Sequence, residues 1–377
     1  MFIYFVLALS FVIFVVVIAA RLLLSLYALE LGAQPLVVGT LAATFSVFPM
    51  LLSITAGKLG DRFGSRWPLQ TGVAGMACAM LVPYFSPGLP ALYMAAAVIG
   101  LSTTFFVVLL QNLIGTTSDS NSRTRNFSNF TLVGSAVNIV GPLFVGFSID
   151  LSGHAAACLY LALLSLVPLT TLAIWGGALP GGSRKSAARA GNILGALPDP
   201  KVWKLLATSS FLVAGIDLFE IYIPIYGHSL GLSASAIGIV LGTYSAAGFL
   251  VRVLLTRLIS WLSMEGVLVY AFVLGAASLT LIPFCTNVGV LAVLAFMFGL
   301  GMGCGQPITM MLTFSASAEG RSGEALGLRM TVNHLTRVVG PTVFGSIGSA
   351  FGLFPVFWIS ALLLAAGGMV SRVRKTH

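Results

Sequence analysis

Three stretches of this chain place ionisable side chains where almost everything around them is apolar. Asp217 and Glu220 stand three apart in SSFLVAGIDLFEIYIPIYG, and His334 and Arg337 stand three apart in TVNHLTRVVGP. Arg21 stands alone in VVVIAARLLLSLY. Residues at i and i+3 share one face of a helix, so each pair turns its two groups to the same side. A charge at mid-bilayer costs at least ~2.5–3.5 kcal/mol on insertion scales and is kept where it faces a cavity or a partner. Two carboxylates on one face of a poorly hydrated site cannot both ionise cheaply, so they take up and release a proton as a pair. A guanidinium nearby can hold an anion. The chemistry on offer is proton exchange and ion holding, and no constellation for covalent catalysis stands out.

The element that must position these groups is a membrane-spanning helix. The 377 residues are 58% hydrophobic and 8% charged, with a mean hydropathy of +1.03, whereas soluble domains carry about 25% charged residues. Runs of roughly 20 apolar residues, long enough to cross a bilayer, recur along the whole length. Twelve spans are expected: 5–26, 37–56, 68–85, 90–115, 127–149, 155–175, 202–226, 236–255, 266–284, 288–314, 326–349 and 355–369. Connections after odd-numbered spans hold no Lys or Arg, while the others and the C-terminal end hold fifteen of the 19 basic residues. Basic residues stay cytoplasmic, so both termini are expected inside a plasma membrane of the bacterial inner-membrane kind. The net charge of +9 is then a topology signal and not a nucleic-acid footprint. Arg252 and Arg329 fall near cytoplasmic ends, where long side chains snorkel to water, and are expected to be structural.

Shifting the sequence by 199 residues lays its halves over each other without gaps. Tyr27 falls on Tyr226, Leu31-Gly32 on Leu230-Gly231, Gly39 on Gly238 and Thr44 on Thr243. Gly100 meets Gly299, VGP at 140–142 meets VGP at 339–341, Gly146 meets Gly345 and Gly153 meets Gly352. The expected architecture is an all-α polytopic membrane protein of two pseudo-symmetric six-helix bundles, 1–177 and 202–377, joined by a cytoplasmic linker, 178–201. Parallel repeats of this kind recur among secondary transporters, with the substrate site between the halves. The same shift lays Arg21 on Glu220 and Asn138 on Arg337. Arg21, Asp217, Glu220, His334, Arg337 and Asn138 are therefore the candidates for substrate and proton handling. Two plainer readings stand beside this one: a static Arg21–Glu220 ion pair, and a His334 that only hydrogen-bonds a neighbouring helix.

Charge is also concentrated in AGKLGDRFGSRW, residues 56–67. This stretch resembles the signature loop of the major facilitator superfamily, a Gly, a small residue, Asp-Arg, an aromatic, Gly and a basic pair. Gly57, Gly60, Asp61, Arg62, Phe63, Gly64 and Arg66 fit it, with Ser65 in place of the first base. The second half carries a worn copy, GFLVRVLLTRLISWLSMEG, in which Ser260 and Trp261 replace the Asp-Arg. The resemblance implies a gating role: Asp61 faces the cytoplasmic start of span eleven, near 323–328, and favours the outward-open state. A carboxylate at a helix N-terminus gains about 0.3–1 kcal/mol from the exposed amides and the dipole, which agrees with that role. GSAVNIVGPLFVG, residues 134–146, loosely resembles the Gly-Pro motif of proton-coupled drug exporters. There Pro142 is expected to kink the helix and Gly141 to permit close packing. The copy at Gly340-Pro341 lessens its diagnostic weight, and the Arg that such exporters carry before Gly100 is absent, with Ala97 near its place.

Other motifs have plain explanations. Cys78, Cys158, Cys285 and Cys304 sit singly in separate spans with no metal spacing, so no metal or cofactor is expected. The sequons at Asn126 and Asn129 fall at the cytoplasmic end of span five and are discounted. GLGMGCG, residues 299–305, follows no strand, and its glycines are expected at close helix contacts. The N-terminal run has no basic n-region and is expected to be a retained span. Tyr27, Phe105, Phe106, Tyr222 and Tyr226 are candidate cavity-lining aromatics. The whole points to a proton-coupled secondary transporter, monomeric, moving a small organic solute by alternating access, with export by antiport favoured. Proton-driven import of a small organic anion or zwitterion is the alternative, and a transporter-like sensor stands further off.

Overall fold

A computed structural model describes residues 2–63, 66–117, 123–176, 200–316 and 322–371. The described residues are almost wholly helical. Inside a bilayer this is the expected outcome, since a helix satisfies its backbone hydrogen bonds within one segment. The helices are α1 (Phe2–Glu30), α2 (Pro35–Phe63), α3 (Arg66–Phe85), α4 (Leu89–Thr117), α5 (Arg123–Trp175) and α6 (Pro200–Ser229). They continue as α7 (Ala234–Val253), α8 (Leu255–Leu281), α9 (Val288–Met302), α10 (Gly305–Ala316), α11 (Ser322–Phe351) and α12 (Leu353–Ser371). Among the described residues, nine helical stretches are long and apolar enough to cross a membrane.

One of those stretches runs 44 residues, Leu132–Trp175. Gly153 divides it, with φ 81 and ψ 169 inside α5, into the expected fifth and sixth spans. Conversely α9 and α10 together fill the tenth. Their junction leaves the Gly303 carbonyl outside the helical ladder, and it accepts a hydrogen bond from Arg252 Nε at 2.9 Å. Each of the twelve expected spans thus coincides with helix.

The repeat is visible in the backbone. Among the described residues four glycines have positive φ, and they form two pairs at the 199-residue shift: Gly32 (79°) with Gly231 (73°), and Gly153 (81°) with Gly352 (82°). The ends of α1 and α6 close alike. Gly32 N–H donates to Leu29 and Ala33 N–H to Ala28, while Gly231 N–H donates to His228 and Leu232 N–H to Gly227, at 2.9–3.0 Å. This is the Schellman ending, which needs a left-handed residue after the helix. Glycine is the residue that takes that conformation without a Cβ clash.

The helices pack as two compact units. The first holds α1 to α5 together with Ser233–Gly238, the opening turn of α7; the second holds α6 and everything from Ile239 on. In the first unit, Asp150 caps that opening turn, accepting from the N–H groups of Ala234 and Ser235 at 2.9 Å each. A Cβ on Gly146 would lie 2.5 Å from the Ala234 carbonyl oxygen, and one on Gly238 equally close to that of Pro142.

Candidate functional site

The second unit gathers four of the six candidate residues. α6 brings Asp217, 4% exposed, and the half-buried Glu220. α11 brings His334 and Arg337, both half-buried. Arg337 Nε lies 3.2 Å from Asp217 Oδ2, and neither atom has a hydrogen-bond partner, so the contact is one of charge rather than of aligned donor and acceptor. Tyr244 of α7 donates to Glu220 Oε1 at 3.5 Å. Arg337 lies within electrostatic reach of Asp217, Glu220 and Tyr244, and His334 within reach of Arg337 and Asp217. The His334 Nδ1 is buried and makes no hydrogen bond.

Aromatic packing holds the Tyr244 side of this cluster. Phe219, between the two acids in sequence, stacks on Phe298 with ring centroids 4.2 Å apart, and Tyr244 tilts against the same ring at 5.7 Å. Two protonatable carboxylates, a phenol, an imidazole and a guanidinium therefore share one half-dry site. Such a set can exchange a proton and can trade the Asp217–Arg337 contact for a contact with a bound anion.

Arg21 and Asn138 belong to the first unit. The Arg21 guanidinium lies 5.8 Å from the centroid of the Phe45 ring, and Asn138 is half-buried in α5. The 199-residue shift lays Arg21 on Glu220 and Phe45 on Tyr244, so each intramembrane charge leans on the equivalent aromatic residue of its own unit. The signs are opposite and the chemistry of the two contacts differs, a cation over a ring and a carboxylate on a phenol.

The other sequence motifs divide. The Gly141 backbone passes close to α1, where a Cβ would lie 3.0 Å from Ile18 Cγ2, whereas a Cβ on Gly340 would meet nothing within 4 Å. The pseudo-equivalent glycines thus do not share a packing role. Pro142 and Pro341 both lie inside continuous helix. α2 carries the gating stretch as far as Phe63, and the side chains of Asp61 and Arg62 lie outside the described ones, as do the surroundings of Gly57 and Gly60. Gly64 lies outside the described residues. Arg66 reaches the Ala173 carbonyl at 3.4 Å.

Two expectations need correction. Four of the five aromatics assigned to a cavity pack inside their own units instead: Phe106 is fully buried, Tyr27 stacks on His154, and Tyr222 and Tyr226 meet Phe357 edge to face; Phe105 is half-buried. Arg329 does not snorkel. It is 7% exposed and reaches across to α6 and α10, a long-range arrangement that its place near a helix end could not signal.

Comparison with known proteins places the chain among membrane transporters. The family model described as Major Facilitator Superfamily matches residues 1–341. The chain is 21% identical to the quinolone resistance protein NorA of Staphylococcus aureus (strain MRSA252) over 361 residues, 94% of this chain and 91% of that protein. It is 24% identical to the MFS-type transporter YuxJ of Bacillus subtilis (strain 168) over 329 residues, covering 84% and 82%. Among solved structures, the nucleoside transporter NupG aligns with a TM-score of 0.80 at 14% identity over 98% of each chain. The peptide transporter POT in complex with sulfate aligns with a TM-score of 0.82 at 13% identity, over 98% of this chain and 93% of that one.

Proposed function

The chain belongs to the major facilitator superfamily, and from that premise we propose that it is a proton-coupled secondary transporter exporting a small organic solute by antiport. The observation that carries this reading is the buried Asp217–Arg337 contact, with Glu220, Tyr244 and His334 around it. A proton arriving on the acid pair weakens the hold of Asp217 on Arg337, and a bound solute competes for the same groups. One site then serves both ligands in turn, which is the requirement for exchange. The relative named for quinolone resistance supports the outward direction. In this reading both termini are cytoplasmic, the membrane is a bacterial inner membrane, the working unit is one chain, and Asp61 biases the cytoplasmic gate.

The test is transport in liposomes driven by an imposed pH difference. Provided that solute binding itself survives, Asp217→Asn or Glu220→Gln abolishes gradient-driven accumulation, whereas solute exchange without a gradient persists, since exchange moves no net proton. Should the double variant still accumulate solute against its gradient, the coupling site lies elsewhere.

A further inference from the structure

A second cation in the same unit is held quite differently from Arg337. Arg329 is 7% exposed, and all three of its guanidinium's hydrogen bonds leave from Nη1: to Ser209 Oγ at 3.1 Å, Thr309 Oγ1 at 3.0 Å and Gln306 Oε1 at 3.4 Å. Every acceptor is neutral. Nε is buried and has no partner, so among the described residues the Nε–Nη2 edge is uncommitted. Burying an ion costs several kcal/mol unless opposite charge and full hydrogen bonding offset it.

The surroundings are rich in donors and poor in acceptors. Ser209 spends its hydroxyl proton on Asn333 Oδ1 at 3.0 Å, and Thr309 directs its own at the Gly305 and Gln306 carbonyls. The carboxamides of Gln306 and Asn333 both use their oxygens as acceptors here, which leaves their N–H groups to donate. Val332, one turn on from Arg329 in α11, packs on Leu206 and Leu328. Packing alone does not call for a charge at this position. The 199-residue shift lays Arg329 on Phe130, which meets Phe14 edge to face at 6.1 Å.

We propose, resting on the transporter reading above, that the Nε–Nη2 edge of Arg329 binds a carboxylate and that the transported solute is an organic carboxylate. Two parallel N–H groups on a planar guanidinium match the two oxygens of a carboxylate. A point anion such as chloride gains nothing from that fork. The ligand brings the negative charge that the described partners of Arg329 lack.

The experiment is thermal unfolding of the purified full-length protein in detergent, at matched ionic strength. The probes are acetate and benzoate, their neutral counterparts acetamide and benzamide, chloride, and inorganic phosphate. Binding raises apparent stability as RT ln(1 + [L]/Kd), so the two carboxylates give a saturating rise in Tm that the amides and chloride do not. Arg329→Gln weakens the benzoate response at least tenfold in apparent Kd, equivalent to about 1.4 kcal/mol. Arg329→Lys, which keeps the charge without the fork, also falls short of the unaltered protein. Carboxylates no better than amides or chloride, a larger response to phosphate, or an unchanged response in Arg329→Gln each overturn the proposal. If Arg329→Gln does not fold, the comparison of acid with amide and the Lys variant decide. No membrane or pH gradient enters the assay, so its result stands apart from proton coupling. Proton-driven transport without carboxylate stabilisation sinks the site alone, and the converse sinks the coupling alone.

Discussion

Asp217 and Arg337 are individually expensive and jointly tolerable. Removing one partner from a buried pair costs about 3–5 kcal/mol, because the remaining charge stays behind without compensation, whereas replacing both can be nearly neutral. Asp217 is the more buried of the two, with a side chain 4% exposed against 36% for Arg337. Arg337→Gln is therefore the damaging change, and adding Asp217→Asn to it restores most of the loss. Unfolding titrations of the four proteins in detergent form a double-mutant cycle that isolates the coupling; a double variant whose loss equals the sum of the two single losses would mean that the contact contributes nothing. These residues were legible in the sequence because a charge inside an apolar run has few uses. Arg329 was not, since a basic residue near a helix end is ordinarily a topology signal. Its burial depends on Ser209 and Thr309, 120 and 20 residues away, and no local pattern encodes that. The aromatics misled for the opposite reason: Phe106 and Tyr222 have the composition of cavity walls, yet their faces are fixed by packing within one unit.

Several helices in this protein meet through glycine, and at Gly100 and Gly299 the repeat preserves the contact. A Cβ on Gly100 would strike the Phe45 carbonyl, and one on Gly299 the Tyr244 carbonyl, contacts that coincide at the 199-residue shift. Without a hydrophobic drive between helices in lipid, such close approach is a main source of association. Gly299 tolerates no methyl group, since beyond that carbonyl a Cβ would stand 2.8 Å from the Cβ of Ala247. Gly340 has nothing within 4 Å, and glycine inside a helix costs roughly 0.5–1 kcal/mol relative to alanine. Gly299→Ala is expected to lower the unfolding temperature and Gly340→Ala to raise it slightly, in keeping with that small gain in free energy, both read by thermal unfolding in detergent. A stable Gly299→Ala variant would remove the close contact as an explanation for this glycine. Sequence reading found the glycines and the shift between the halves, but not the breaks. The junction of α9 and α10 rests on Arg252 reaching the Gly303 carbonyl, a tertiary partner invisible to hydrophobic periodicity.

For the molecule as a whole, the proposed orientation rests on the Lys and Arg bias, and the aromatic residues mark where the interfaces lie. By chain order, fifteen basic residues fall in one alternate set of connections and the C-terminal end, and exposed tryptophans flank connections of that same set: Trp67, Trp175, Trp203 and Trp261, between 51% and 73% exposed. Arg66 lies over the ring of Trp67 at 6.0 Å and Arg257 over that of Trp261 at 5.9 Å, pairing a headgroup-seeking cation with an interfacial ring. At opposite ends by chain order, Phe284, Phe354 and Trp358 group with ring centroids 6.2–6.4 Å apart and no basic residue among them. Aromatic belts mark both interfaces, and the Lys and Arg bias marks the cytoplasmic one. The proposed orientation turns the connection 178–201 to the cytoplasm and that between α3 and α4 outward. The four native cysteines make no disulfide, so a cysteine-free background loses no cross-link, and single cysteines can be placed at will. In intact cells an impermeant thiol reagent should label Gly88→Cys and spare Ser183→Cys, a position outside the described residues. Both should react once the membrane is opened, which guards against a buried or misfolded label. Labelling of Ser183→Cys in intact cells would invert the topology, and with it the assignment of Asp61 and Arg66 to a cytoplasmic gate.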